Sequence, residues 1–247
     1  MHVRAVLFDI GETLWHSQGA PPPHAFRRIA TARAADMLPR LGLFAADPEL
    51  ASRAAWDALE NAMRRARATD LVEPDYAEAA RSGLRAVGID LSRQAAGEFL
   101  EAIYISGAEG GKEAFRDAVE VLLELRTRGF LLGTVTNRAF GGDRFRADLR
   151  DAGLDIGWDA ESVSVEVGYL KPHPAPFQHA LERLAVNPEE ALMVGDSLAQ
   201  DIAGAQALGI RTAWRVSTPD ADGVEPDFVF HELEELLDIP VLAGCHE

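Results

Sequence analysis

The sequence predicts an α/β fold, a doubly wound parallel sheet into which an all-helical domain is inserted. Two patterns support this prediction. From about residue 24 to residue 106 the chain is rich in Ala, Arg, Leu and Glu at helical spacing, and it contains no convincing strand. After the glycines at 110 and 111, apolar runs alternate with helical segments. Strands separated by helices of this length form parallel crossovers, which place helices on both faces of a sheet.

The first element is a short buried strand. Residues 3–8 form an apolar run that stops at Asp9-Ile10-Gly11, and this predicts a strand that ends in a turn. The helical segment that follows begins after three prolines at 21–23. Its pattern is interrupted near residues 41–42, 71–74 and 88–91. These breaks predict about four helices.

The rest of the chain predicts the other strands of the sheet. We expect strands at residues 130–136, 162–165, 191–194, 211–216 and 227–230. We expect helices at residues 114–128, 144–152, 174–184, 199–208 and 231–237. The predicted domains are a discontinuous core of residues 1–16 and 112–247 and a helical domain of residues 17–111.

Composition limits the classes of partner. The formal net charge is −16, from 40 acidic and 24 basic residues, which argues against nucleic acid and against an anionic membrane as partners. The single cysteine, Cys245, cannot form an internal disulfide, which fits a reducing cytoplasm. The apolar run at 3–8 is too short for a secretory signal and contains Arg4. We therefore expect a cytoplasmic protein, a monomer or a homodimer, that acts on a small molecule.

Polar side chains stand where the predicted strands end, at the edge where open parallel sheets bind ligands. They are Asp9, Thr136, Asn137, Lys171 and Asp196, with Asp201 a little beyond in the turn that enters a helix. Magnesium takes hard oxygen ligands, commonly one or two carboxylates together with waters and substrate phosphate. Such a set indicates phosphoryl transfer, with carboxylates for Mg²⁺ and a lysine and a hydroxyl for the phosphate.

Four segments resemble the motifs of the haloacid dehalogenase superfamily in their order and spacing. They are residues 8–14, 135–137, 168–174 and 194–201. The resemblance spans nearly the whole chain, and it implies a Rossmann-like core with a helical cap between the first and second motifs. A single motif of this kind is weak evidence, whereas four in order are strong.

The resemblance also implies roles for the site residues. Asp9 is then the nucleophile that forms an aspartyl-phosphate, and it ligates Mg²⁺ with the backbone carbonyl of Gly11 and with Asp196. Asp201 acts on the metal through water or holds Lys171. Lys171, Thr136 and Asn137 bind the transferred group, and Thr13 of the first motif is a further candidate for substrate binding.

Gly11 departs from the pattern of the family's phosphatases. Those enzymes usually carry an aspartate two residues after the nucleophile, which protonates the leaving group and typically contributes ~10²–10⁴-fold to the rate. Here Gly11 stands at that position, and Glu12 stands where a glycine is usual. Activity is then modest, or the leaving group needs little help, or Glu12 or His16 replaces the missing acid.

The resulting hypothesis is a magnesium-dependent phosphatase of a small phosphorylated metabolite. One alternative is a metal-free 2-haloacid dehalogenase, which Gly195-Asp196 disfavours because that pair is the metal-binding form of the fourth motif. Another is a catalytically weak member that binds a ligand or a partner protein, which Gly11 keeps open. A phosphonate-cleaving enzyme is disfavoured because the only lysines, Lys112 and Lys171, lie outside the cap interior.

Overall fold

A computed structural model describes residues 2–216 and 223–243, so Cys245 lies outside the described residues. The chain divides into two compact units. One, the sheet unit, comprises Met1–Gly19 and Lys112–Glu247, and the other, the helical unit, comprises Ala20–Gly111.

The sheet unit is built on six parallel strands in the order β5-β4-β1-β6-β7-β8. These strands are β1 (Ala5–Phe8), β4 (Leu131–Thr136), β5 (Ala160–Val163), β6 (Ala191–Gly195), β7 (Arg211–Arg215) and β8 (Phe228–Phe230). A separate antiparallel ribbon pairs β2 (Trp15–His16) with β3 (Glu113–Ala114). The helices of this unit are α5 (Ala118–Thr127), α6 (Gly142–Asp151), α7 (Ser164–Val167), α8 (Pro174–Leu184) and α9 (Ala203–Gln206).

Both faces of the sheet are buried, which confirms the doubly wound α/β prediction. Successive side chains of a strand point to opposite faces. On β1, Val6 and Phe8 belong to the core cluster that includes the apolar face of α5. Ala5 and Leu7 belong to a second cluster, on the other face, that includes Phe177 of α8. A central parallel strand therefore reads as a continuous apolar run rather than as an alternating one.

The helical unit contains α1 (Pro23–Arg40), α2 (Pro48–Ala68), α3 (Tyr76–Ala86) and α4 (Arg93–Ala102), the four helices expected from the sequence. Three begin at side-chain caps: Asp47, Asp75 and Ser92 accept hydrogen bonds from backbone N–H groups of the first turn. Helices α2 and α3 approach closely at Gly83, where a Cβ atom would lie 2.5 Å from the carbonyl oxygen of Ala54.

Several elements differ from the sequence-based expectation. The strand predicted at 162–165 lies at Ala160–Val163, because the chain turns into the short helix α7 as soon as Val163 has paired with Thr136. The helix predicted at 199–208 begins as a wide turn at Leu198–Ile202 and is α-helical only over α9. The helix predicted at 231–237 is a 3₁₀-helix over Leu233–Asp238. The ribbon β2–β3 was not predicted, because two residues per strand carry no detectable periodicity.

Among the described residues, no helix combines the length and the apolar character that crossing a bilayer would require.

Candidate active site

The sheet topology brings the predicted site residues to one edge. Strand β1 lies between β4 and β6, so Asp9 follows the central strand while Thr136 ends one neighbour and Asp196 follows the other. The backbone N–H of Asp9 donates to the carbonyl of Val194 at 2.9 Å, which extends the pairing of β1 with β6 by one residue. Residues far apart in sequence therefore meet because their strands are adjacent and parallel.

Lys171 is the centre of the hydrogen-bond network. Its Nζ donates to Oδ1 of Asp9, to Oδ1 of Asp201 and to the carbonyl of Val135, each at 2.6 Å. The lysine is 2% exposed, Asp201 is 1% exposed and Asp9 is 8% exposed. An ammonium has three donors, and all three are satisfied here, so the side chain is held in one position.

The electrostatics of this cluster are set by burial and by mutual attraction. Burial alone would lower the pKa of Lys171, but the carboxylates of Asp201 and Asp9 outweigh it and raise the pKa above its usual value. Burial raises the pKa of Asp201 to about 7, against the opposing charge of Lys171. Lys171 is therefore a fixed positive charge beside the nucleophile candidate Asp9.

Three carboxylates converge at this edge. One carboxylate oxygen of each of Asp9, Asp196 and Asp201 lies within 4.8 Å of the others. With one lysine among them, the fully ionised cluster carries three negative charges and one positive charge, a net −2. Hard oxygen donors with excess negative charge fit Mg²⁺, which prefers such ligands.

The backbone around Asp196 and Asp201 is fixed by close packing. The indole Nε1 of Trp214 donates to the carbonyl of Asp196 at 2.8 Å. The N–H of Ser197 donates to Oδ2 of Asp201 at 3.0 Å. A Cβ at Gly195 would lie 2.4 Å from Oδ2 of Asp201, so only glycine allows this approach.

The loop after Asp9 is held from the end of β7. Arg215 donates from Nη1 to the carbonyl of Glu12 at 2.7 Å, and Glu12 has a left-handed backbone with φ of 52°. The same guanidinium lies 3.7 Å from the ring centroid of Phe115. At Gly11 a Cβ would lie 3.9 Å from Oδ2 of Asp9 and 4.0 Å from Nε1 of Trp15, which leaves room for a side chain.

The remaining predicted residues are placed differently. Asn137 accepts from the N–H of Lys171 at 2.7 Å and donates to the carbonyl of Lys171 and to Gln200, so its amide is fully engaged within the protein. Thr136 is 4% exposed at the end of β4. Thr13 is fully buried, and its hydroxyl has no hydrogen-bond partner among residues 2–216 and 223–243.

Some contributors were missed by the sequence analysis. Arg215 and Trp214 lie on β7, and a search of every strand end for cations and donors would have found Arg215. Gln200 stood inside the fourth motif segment without an assigned role. The suggested acid replacement His16 packs edge-on against Phe115 with the ring centroids 4.9 Å apart.

Comparison of the sequence with models of known protein families shows which family the chain belongs to. The model of haloacid dehalogenase-like hydrolases matches residues 3–209. The chain belongs to the haloacid dehalogenase-like hydrolase family. This match confirms the resemblance inferred from the four motifs, and it establishes the chain as a member of a family of hydrolases.

Relatives of this haloacid dehalogenase-like hydrolase carry different names. Pyrophosphatase PpaX of Bacillus cereus (strain G9842) is 36% identical over 138 residues, which cover 54% of this chain and 62% of that protein. The match thus spans less than two thirds of the length of that curated relative. The crystal structure of a HAD phosphatase from Thermococcus onnurineus is 25% identical, with a TM-score of 0.59 over 96% of this chain and 97% of that one.

A solved dehalogenase is also similar. The 2-haloacid dehalogenase from Pseudomonas syringae pv. Tomato DC3000 is 28% identical, with a TM-score of 0.63 over 98% of both chains. Names alone therefore do not separate phosphatase from dehalogenase for this haloacid dehalogenase-like hydrolase, and the site residues must do so.

Proposed function

We propose that this hydrolase is a magnesium-dependent phosphatase that acts on a small phosphorylated compound through an aspartyl-phosphate at Asp9. The observation that carries the proposal is the buried cluster in which Lys171 bridges Asp9 and Asp201. A carboxylate oxygen of Asp196 lies within 4.8 Å of an oxygen of each of these two aspartates, close enough for one metal ion to be shared. A haloacid dehalogenase also needs a carboxylate nucleophile and a lysine, but the third carboxylate, Asp196, is explained by a metal.

Asp9, Asp196 and the carbonyl of Gly11 are the groups that would hold the metal. When bound, Mg²⁺ would neutralise charge on the carboxylates and on the phosphoryl group of the substrate. Asp201 already accepts from Lys171 through Oδ1 and from Ser197 through Oδ2. We therefore propose that the main role of Asp201 is to hold Lys171. We also propose that Asp201 binds a water molecule that ligates the metal.

The chemistry at Asp9 proceeds in two steps. A carboxylate oxygen of Asp9 forms a bond to phosphorus, and the bond from phosphorus to the leaving-group oxygen breaks, with its electron pair staying on that oxygen. Water then attacks the phosphorus of the aspartyl-phosphate, which releases phosphate and regenerates the carboxylate of Asp9. Lys171 offsets the charge on the reacting oxygens and Thr136 donates to a phosphate oxygen.

Asn137 and Thr13 are the other residues proposed to bind substrate. Because the amide of Asn137 bonds to both backbone groups of Lys171, it is better suited to fixing the lysine loop than to contacting substrate. The helical unit is proposed to select the substrate, the role of a helical cap. Cytoplasmic localisation and a monomeric or homodimeric state remain predictions from the sequence.

The test is phosphate release from a panel that includes pyrophosphate and p-nitrophenyl phosphate, with and without Mg²⁺, for the wild type and Asp9→Asn. We expect release that requires Mg²⁺ and that falls at least ~10³-fold in the variant, because the amide is no nucleophile. Pyrophosphate is included because curated relatives are named pyrophosphatases.

The second candidate function is that of a 2-haloacid dehalogenase, which is favoured by the similar structure from Pseudomonas syringae. Halide release from 2-haloacids in the presence of a chelator, with no phosphate release from any compound, would replace the phosphatase proposal. A matched control is Asp36→Asn on α1, an acidic residue of the helical unit to which no site role is assigned.

A further inference from the structure

We propose that Lys112 binds negative charge on the leaving group, so that the site favours phosphoanhydrides, whose leaving group is itself a phosphate. The inference rests on the proposed phosphatase function and deepens it by naming a substrate class. It also explains how the site would work with Gly11 in place of an acid.

The β2–β3 ribbon positions Lys112. Trp15 of β2 is paired with Ala114 of β3, so Lys112 stands at the start of the ribbon, next to the indole. Its Nζ lies 5.0 Å from the centroid of the Trp15 ring, within cation–π distance. Within residues 2–216 and 223–243, this half-buried ammonium has no hydrogen bond and no ion pair.

Trp15 lies between this lysine and the loop that follows the nucleophile Asp9. Its Nε1 lies 4.0 Å from the position of a Cβ at Gly11, and that position lies 3.9 Å from Oδ2 of Asp9. Since Oδ1 of Asp9 is held by Lys171, Oδ2 is the oxygen on the side of Gly11 and Trp15. Lys112 therefore lies over the indole whose Nε1 faces the space that the acidic side chain of other family phosphatases would occupy.

Lys112 shares the indole of Trp15 with a second cation. Arg138 lies 5.4 Å from the same indole centroid and forms an ion pair with the buried Asp148. Burial, and then the charge of Arg138, lower the pKa of Lys112, while Asp148, Glu12 and Asp9 act in the opposite direction. A cation held among such groups without a direct partner is stabilised when an anionic ligand pairs with it.

The bond changes explain why this matters for the leaving group. When the oxygen of Asp9 bonds to phosphorus, the bridging oxygen keeps the electron pair of the broken bond. An alkoxide leaving group needs a proton at this point, and Gly11 carries no acid to supply it. Orthophosphate departs as a stable anion, and Lys112 would compensate its added charge without proton transfer.

The experiment measures binding as well as turnover. Calorimetry with Mg²⁺ would compare imidodiphosphate, a pyrophosphate analogue that resists hydrolysis, with orthophosphate, on the wild type and Lys112→Met. We expect the variant to bind imidodiphosphate about 10–100-fold more weakly and orthophosphate less than about threefold more weakly, as removal of one charge-assisted hydrogen bond implies.

Two further variants serve as controls. Lys112→Arg keeps the charge and should recover most of the affinity for imidodiphosphate. Arg116→Met removes one positive charge from an exposed position four residues along the chain and should change neither ligand's affinity. In steady-state assays, Lys112→Met should lower kcat/KM for pyrophosphate more than for p-nitrophenyl phosphate.

Equal affinity of wild type and Lys112→Met for imidodiphosphate would overturn the inference, as would equal losses for both ligands or no binding of imidodiphosphate by the wild type. The phosphate-release assay tests the proposed phosphatase function separately. Binding that depends on Lys112, without any Mg²⁺-dependent phosphate release, would reject the phosphatase function and with it the leaving-group role, and would leave Lys112 as an anion-binding residue only.

Discussion

At the scale of single residues, the site depends on a buried lysine between carboxylates. Lys171 satisfies its three donors with Asp9, Asp201 and the carbonyl of Val135, so its position and its charge are fixed together. Removing one partner of a buried ion pair is costly because an unpaired charge stays behind. The same arrangement therefore serves both stability and the proposed chemistry, and the two can be separated by mutation.

Lys171→Met should lower the free energy of unfolding by about 3–5 kcal/mol in magnesium-free buffer, because Asp201 would remain buried without its partner. Phosphate release should be lost as well. Urea unfolding and the phosphate assay measure the two effects.

The double variant Lys171→Met with Asp201→Asn is the matched control. It should recover a large part of the lost stability, because the unpaired buried charge is replaced by a neutral amide, yet it should stay inactive. Full stability of the single variant, or activity of the double variant, would show that the lysine does not have this role.

At the scale of elements, three of the four helices of the helical unit begin at short polar side chains that cap them. Asp75 caps α3 by accepting from the N–H of Glu78 at 3.0 Å, and it also pairs with Arg93 at the start of α4 at 2.6 Å. The hydrogen bond from Arg93 lowers the pKa of Asp75 below its usual value, together with backbone bonds and despite burial. A lowered pKa means that the carboxylate stabilises the fold above the unfolded pKa, and that this stability is lost as pH falls.

Asp75→Ala should destabilise the protein by about 1 kcal/mol at pH 7 through loss of the cap. The deficit relative to wild type should begin to shrink as the pH falls below ~4, where the unfolded chain takes up the proton, and should disappear once the pH is below the lower pKa of the folded wild-type carboxylate. Asp75→Asn keeps a cap acceptor and should lose less than the alanine variant. Urea unfolding at pH 7 and at pH 3 tests this, and an identical deficit at both values would contradict it.

The elements also show where sequence reasoning succeeded. The strands β1, β4 and β6 were predicted to within a residue or two, because buried parallel strands are continuous apolar runs. The ribbon β2–β3 and the wide turn at Leu198–Ile202 were not, since short pairs and unusual helical turns depend on tertiary contacts such as the bond from Ser197 to Asp201.

At the scale of the whole molecule, the fold explains why the site could be located from sequence. A parallel sheet collects the residues that follow its strands at one edge, so Asp9, Asp196 and Lys171 could be grouped without coordinates. The partners that fix their backbone could not, because Trp214 and Arg215 contact the site through tertiary packing rather than through a motif.

The net charge of −16 adds a constraint on the same scale. A surface of this sign repels a phosphorylated substrate at long range, so capture must depend on local cations and a metal. Lys171 and, by our inference, Lys112 are the lysines that supply this local charge.

The most direct test of the proposed mechanism is to trap the phosphorylated enzyme. Acid quenching during turnover of pyrophosphate with Mg²⁺, followed by peptide mass spectrometry, should find a phosphoryl group on the peptide that contains Asp9, and none in Asp9→Asn. Sustained phosphate release with Asp9 unmodified at every quench time, and retained turnover in Asp9→Asn, would contradict a covalent mechanism at Asp9.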